Sequence, residues 1–309
     1  MPIDLNYVND ILQATVRMAA PLMLVAVGGV FTERSGIFNI GMEGMMLTGA
    51  LVSTIGSVLT GSVWVGMLFA MLAGGLLAAI HAYLTVTRRA PQIVAGLAMN
   101  LLAAGGTELL FARFFTGDRE RVALFPVLAP ESWQKIPIVG PIIFSQSVIV
   151  WLAFLLPVLA SWVLFRTSWG LNIRAVGDHP HAVATAGISV FSLKYVGVIL
   201  SGVFSGLGGC ALVLGSLGYF APGMTNGRGF IALAALVVGK WNPIWVALAC
   251  LMFGGADALQ LRIQTQQAAI PYQFLVMAPY ILTILALAGF VGRTVPPKTV
   301  GKPYDPTSY

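Results

Sequence analysis

Apolar residues run through this chain in long blocks, and what separates the blocks is mostly single charges and short polar punctuation. No Asp, Glu, Lys or Arg stands between Arg17 and Glu33, Glu43 and Arg88, Lys135 and Arg166, Lys194 and Arg228, or Arg262 and Arg293. A helix needs about 20 mostly apolar residues to cross the hydrocarbon core of a bilayer, so each interval holds at least one crossing. The second, divided near Gly61-Ser62, holds two. The pattern predicts nine helical segments: Ile11 to Phe31, Met42 to Leu59, Val63 to Val86, Gln92 to Phe115, Ser147 to Phe165, Tyr195 to Leu217, Gly229 to Val238, Pro243 to Leu261 and Phe274 to Gly292. The seventh is the exception. Between Arg228 and Lys240 only 11 residues are uncharged. They make about 17 Å of helix, too short for a full crossing, and read as half of a broken helix.

Before that short segment stands GYFAPGMTNGRG, and before the second segment stands ERSGIFNIGMEG. Irregular backbone of this kind is tolerated at membrane depth only where it is buried in protein or lines an aqueous cavity, because unpaired amides in lipid cost several kcal/mol each. At an offset of 185 residues Glu43 pairs with Arg228, Gly44 with Gly229, and Ala50, Leu51 and Val52 with Ala235, Leu236 and Val237. The same offset carries the first predicted helix onto the sixth, and roughly the third onto the eighth and the fourth onto the ninth. The expected architecture is an all-α polytopic bundle in one transmembrane domain. Repeat 1 covers about 11–115, a linking helix and cytoplasmic loop 147–194, an inverted repeat 2 about 195–292, and a tail 293–309. Inverted repeats, each with a glycine-interrupted segment, mark transporters whose substrate path runs between the halves.

Composition agrees with this reading. The chain has 309 residues, of which 58% are hydrophobic and 9% charged, too little polar surface for a soluble globule of that size. The net charge of +6 is spread singly or in pairs, so it points to membrane orientation rather than to nucleic acid. With the amino terminus outside, the inner side holds Arg34, Arg88, Arg89, Arg166, Arg174, Lys194, Lys240, Arg293, Lys298 and Lys302, ten of the 17 basic residues. Outer positions hold Arg17, Arg113, Arg119, Arg121, Lys135, Arg228 and Arg262. This predicts a multi-pass protein of the cell inner membrane, amino terminus out and carboxyl terminus in. The first ten residues carry no Lys or Arg, so the first segment is expected to stay in the mature protein.

Candidate chemistry is sparse. Cys210 and Cys250 lie in apolar runs and cannot furnish a metal site, and the three histidines read as loop or interface residues. Polar residues inside spans tend to face a bundle interior or water path, which marks Asn39, Glu43, Asn100, Asn226, Arg228 and Asp257 as a candidate substrate path, with Glu108 and Gln260 beside them. Glu43 and Arg228 fit either a structural pair or a substrate contact. Asn39 and Asn226 suit an uncharged polar solute. Gly202 and Gly206 form a GxxxG pair that favours close helix contact. The Gly239-Lys240 pair is followed by Trp241 and has Ala234 where a phosphate loop needs its first glycine. No ATP hydrolysis, and no bound cofactor, is expected of this chain.

Between Arg166 and Lys194 the sequence spells a short helix: Asp178 as amino-terminal cap, Pro180 in the first turn, His181 to Ala186 helical, and Gly187 in the left-handed closing position. Two turns cannot span a bilayer and are marginal alone in water, so this helix packs on its own bundle or docks into another subunit.

Three ordered motifs, ERSGIFNIGMEGMMLTGA, RAVGDHPHAVATAGISV and GRGFIALAALVVGKWNP, resemble those of permease subunits of ATP-binding-cassette importers for simple sugars, nucleosides and branched-chain amino acids. They look most like the nucleoside and simple-sugar branch. The resemblance spans roughly Arg17 to Gly292. It implies that the loop with Arg174, Gly177, Asp178, Pro180, Ala182, Ala186 and Gly187 is a coupling helix inserted into a cytoplasmic ATPase. It further implies two ATP-binding subunits that use the ATP, a second permease (sister chain or copy) and an extracytoplasmic substrate-binding protein. The expected function is inward translocation of a nucleoside or simple sugar by alternating access. A branched-chain amino acid permease and a stand-alone ion-coupled transporter are the alternatives.

Overall fold

The structure, a computed structural model, describes residues 5–115, 121–134, 136–137, 139–265, 277, 281, 284–285 and 295–306. The predicted ninth helix, Phe274 to Gly292, lies outside the described residues except at 277, 281 and 284–285, and Asp118, Arg119, Glu120, Lys135 and Arg293 lie outside them too. Eleven α-helices are described: α1 (Leu5–Arg34), α2 (Met42–Thr60), α3 (Val63–Ala82), α4 (Gln92–Phe114), α5 (Glu131–Gln134), α6 (Val148–Arg166), α7 (Ser168–Asp178), α8 (Pro180–Thr185), α9 (Val190–Leu212), α10 (Arg228–Val238) and α11 (Pro243–Thr265). Single π-helical stretches extend α3 through Tyr83–Thr87 and α9 through Val213–Leu217. Among the described residues, seven helices are long and apolar enough to cross a membrane, and Arg228–Val238 is a shorter apolar helix. The protein is a polytopic all-helical bundle.

The helices sort into a centre and a periphery. The apolar windows of α1 and α9 are 72% buried and that of α2 is 67% buried, against 28–33% for α3, α4, α6 and α11. Helices apolar on every face belong where other protein surrounds them, and α1 shows this in the unbroken buried run Leu22 to Val27. In the centre α1 packs against α9, α10 and α11, while α9 packs against α1, α2 and α3. The α9 contacts depend on missing side chains. A Cβ on Gly202 or Gly206 would overlap backbone of α3 at Gly74 or Ala70, and one on Gly209 would overlap α2 at Met46. Close backbone approach through small residues is how helices associate where lipid removes the hydrophobic incentive.

The two ends of the bundle differ. At one end Arg34 Nε donates to the Trp241 carbonyl (3.1 Å), Lys194 Nζ donates to the Ser35 carbonyl (2.9 Å), and Arg89 pairs with Asp305 (3.2 Å). The guanidinium groups of Arg34 and Arg174 both lie over the Phe165 ring. The tail at 298–305 lies at this same end, beside α7 and α8. At the other end Arg262 pairs with Asp10 (3.1 Å) and Gln13 donates to Ser145 (2.8 Å). Most of the basic residues predicted to share one side are thus gathered at one end.

Three local expectations need correction. The stretch 168–185 forms two helices, α7 and α8, because Thr167 caps α7 by accepting the Gly170 N–H at 3.1 Å. Asp178 is therefore the last residue of α7, and His179, with φ −142° and ψ 72°, sits at the start of α8 in place of the predicted Asp178 cap. The helix after it begins at Val190, five residues before the predicted Tyr195, since Ser189 accepts the Ser192 N–H as its cap. His81, read as a loop or interface residue, is fully buried in α3.

Candidate functional site

The chain leaves α1 through a tight turn in which Gly36 adopts φ +83°. It then runs in irregular backbone to the start of α2. Side chains from other helices pair this backbone one group at a time. Gln92 of α4 accepts the Phe38 N–H at 2.6 Å. Asn39, fully buried, donates to Ser201 Oγ of α9 at 2.6 Å and accepts the Gly41 N–H at 3.0 Å. Asn100 of α4 accepts the Gly44 N–H at 2.8 Å and donates to the Ile40 carbonyl at 3.1 Å. Asn39 and Asn100, two of the three amides predicted for the substrate path, are engaged with backbone or with α9. They meet the requirement that a broken helix buried in a bundle satisfy its polar groups internally.

The second irregular stretch, 218–228, is built differently. Gly218, Gly223, Asn226 and Gly227 all have positive φ. Its turns close on themselves: the Met224, Asn226 and Arg228 N–H groups donate to Ala221, Gly223 and Thr225 carbonyls. Across the bundle it meets Glu43, whose carboxylate accepts the Gly227 N–H at 2.9 Å and the Gly229 N–H at 2.6 Å. An anion at a helix amino terminus is favoured by the exposed N–H groups and the helix dipole together. Gly229 permits the approach, since a Cβ there would stand 2.6 Å from the Glu43 Cα. Glu43 and the start of α10 therefore meet, but not as a Glu43–Arg228 ion pair: the Arg228 guanidinium turns back to the Met224 carbonyl at 3.2 Å. Asn226 is exposed at φ +44°, Asp257 is half-buried on α11, and Glu108 is exposed on α4.

At the basic end, α8 is seated through buried Pro180 and Val183 and presents Ala182, Ala184, Thr185 and Ala186 outward. Gly187 closes it at φ +78°, the left-handed conformation its sequence position called for. The Gly177 carbonyl accepts both the N–H (3.0 Å) and the hydroxyl (2.7 Å) of Thr299. Sequence reasoning missed a buried polar knot alongside: Glu33, 1% exposed, accepts a hydrogen bond from the Trp241 indole, and Lys194 is equally buried. The positive φ of Lys240 and Trp241 was the detail that folds the loop back, and nothing in residue type announces it.

Residues 11–290 match the family described as branched-chain amino acid transport system / permease component. The chain belongs to this permease family. It is 42% identical to the guanosine ABC transporter permease protein NupQ of Bacillus subtilis, over 95% of this chain and 96% of the relative. It is 38% identical to the nucleoside ABC transporter permease protein NupC of Lactococcus lactis, over 97% and 99%. Identity to the putative glucose ABC transporter permease protein TsgC13 of Haloferax volcanii is 33%, over 94% of each. No solved structure matches the chain. Within the permease family, then, similarity at near full length runs to ABC transporter subunits.

Proposed function

We propose that this permease is the membrane subunit of an ATP-driven importer that carries a nucleoside inward across the cytoplasmic membrane. The observation that carries the reading is similarity over nearly the whole chain to permeases named for guanosine and for nucleosides. A simple sugar is the second reading, favoured by the glucose relative. ATP is bound and hydrolysed by separate cytoplasmic subunits that dock on the outward face of α8. A second permease, sister chain or copy, completes the path, and an extracytoplasmic binding protein delivers the solute.

In this proposal the basic end is cytoplasmic, which puts the amino terminus outside and the carboxyl terminus inside. The gathering of Arg34, Arg89, Arg174, Lys194 and Lys298 at one end supports it, because positive charge is retained on the cytoplasmic side. The inverted repeats are supported by a reciprocity of contacts: α1 packs on α10 and α11 of the other half, and α9 on α2 and α3. Rocking of the halves opens the path alternately, with Glu43, Asn226, Arg228 and Asp257 nearest the parts that move.

Uptake of radiolabelled guanosine into vesicles containing this permease with its sister permease, ATPase and binding protein tests the proposal. ATP-dependent uptake competed by other nucleosides, and weakly by glucose or leucine, is expected. Competition by glucose alone would move the assignment to sugars. Uptake by the permease alone under an ion gradient would overturn it in favour of a secondary transporter.

A further inference from the structure

We propose that residues 298–305 act as a tie that carries the displacement of α8 to the α3–α4 corner and thence to the irregular segment before α2. The inference rests on the importer reading, since it assigns a part in coupling.

Contacts grip the tie at both ends. At its start, Thr299 donates twice to the Gly177 carbonyl, the Lys298 N–H donates to Asp178 (3.3 Å), and Lys298 Nζ lies 3.0 Å from His179 Nε2. This holds the tail on the hinge where α7 ends and α8 begins. At its far end, Asp305 pairs with Arg89 at 3.2 Å, and the Lys302 carbonyl takes a longer bond, 3.5 Å, from Gln92 Nε2. Between these points the Tyr304 ring stands 5.2 Å from the His181 ring and 5.7 Å from the Phe191 ring, wedged between α8 and α9.

Gln92 makes the arrangement more than a surface attachment. It is 3% exposed, and the same amide that reaches the tail accepts the Phe38 N–H at 2.6 Å. A continuous run of bonds therefore leads from the α7–α8 hinge, through the tail and Gln92, into the backbone that precedes Asn39 and Glu43. A second, parallel support reaches the same turn: Lys194 binds the Ser35 carbonyl, and a Cβ on Gly36 would press on Lys194 Nζ. The tail does not block docking. It contacts Asp178, His179 and His181, whereas Ala182, Ala184, Thr185 and Ala186 stay exposed. A brace fits these observations, and a plug over the docking face does not.

The test compares reconstituted complexes containing the full chain or a chain ending at Pro297, each with sister permease, ATPase and binding protein. Guanosine uptake and ATP hydrolysis are read on the same vesicles, together with co-purification of the ATPase. The shortened chain is expected to retain the ATPase and its hydrolysis rate while uptake per ATP falls at least about fivefold, the lower range for coupling between sites. Equal uptake per ATP in the two complexes overturns the tie. If the full-length complex shows no ATP-driven uptake, the importer reading falls, and the tie with it. Should the shortened chain fail to assemble, Arg89→Asp, Asp305→Arg and the double swap replace it. Each single variant should lower the ratio and the double variant restore it, and four equal ratios overturn the proposal.

Discussion

The two glycine-rich stretches that precede α2 and α10 solve one physical problem in opposite ways. Before α2, four side chains from elsewhere reach in: Lys194, Gln92 and Ser201 each take one group of the 35–44 segment and Asn100 takes two. Before α10, the 218–228 segment folds mostly on its own turns, with the Val122 N–H donating to the Gly218 carbonyl at its beginning, and the described bonds that tie its helix start to another helix come from one residue, Glu43. A segment held at many points opens only when several bonds break together, whereas a helix start held by one carboxylate is released when that contact moves. The first stretch is thus an anchor and the second a hinge, and sequence symmetry between them does not extend to how they are fixed.

Removing the carboxylate at the start of α10 should have the largest effect. Hydrogen bonds to a charged group contribute about 1.5–3 kcal/mol each, and Glu43→Ala deletes two of them. Amide hydrogen exchange across 221–228 should quicken and nucleoside uptake fall at least about tenfold, with exchange in 35–44 little changed. Equal loosening of both stretches would erase the distinction between anchor and hinge. Glu43→Gln, which keeps one oxygen acceptor but no charge, should fall between the two.

Asn39→Ala attacks the anchor instead. It leaves the buried Ser201 hydroxyl and Gly41 N–H each without a partner that Asn39 supplied. Each unsatisfied buried group costs about 1–3 kcal/mol, so with two of them the melting temperature of the purified permease should drop by roughly 4–12 °C. Because Gln92 and Asn100 still hold their own groups, the segment should stay protected from exchange. A loss of uptake with no loss of stability would instead return Asn39 to the substrate path.

The contrast explains what residue order could and could not reveal. Eight of the nine predicted segments correspond to described helices because charge-free length in a bilayer is a strong constraint, and the 11-residue Arg228–Val238 helix was legible for the same reason. Pro180 and Gly187 were legible because their backbone restrictions are local. Tertiary pairing was not. Asn39 and Asn100 announce only that a polar group is inside a span; that their partners are backbone groups and the Ser201 hydroxyl depends on which helices cross nearby. Glu43 and Arg228 matched across the repeat as opposite charges, yet a glycine at 229 lets the carboxylate reach N–H groups instead. The start of α7 was hidden because its cap, Thr167, follows a crossing with no loop between.

The smallest expected effect discriminates most finely, at Asn226. Its backbone has φ +44°, a conformation that glycine adopts freely, asparagine tolerates and alanine resists. Its side chain is exposed. If the residue serves only the turn, Asn226→Gly should leave uptake within about twofold of the parent, while Asn226→Ala strains the hinge by about 1 kcal/mol and slows uptake several-fold. If the amide instead contacts the solute, glycine and alanine remove it equally, and both variants should raise the concentration for half-maximal uptake by a similar factor. Measuring the two variants side by side thus separates a hinge made of backbone from a hinge that also recognises cargo, and an Ala defect larger than the Gly defect supports the former.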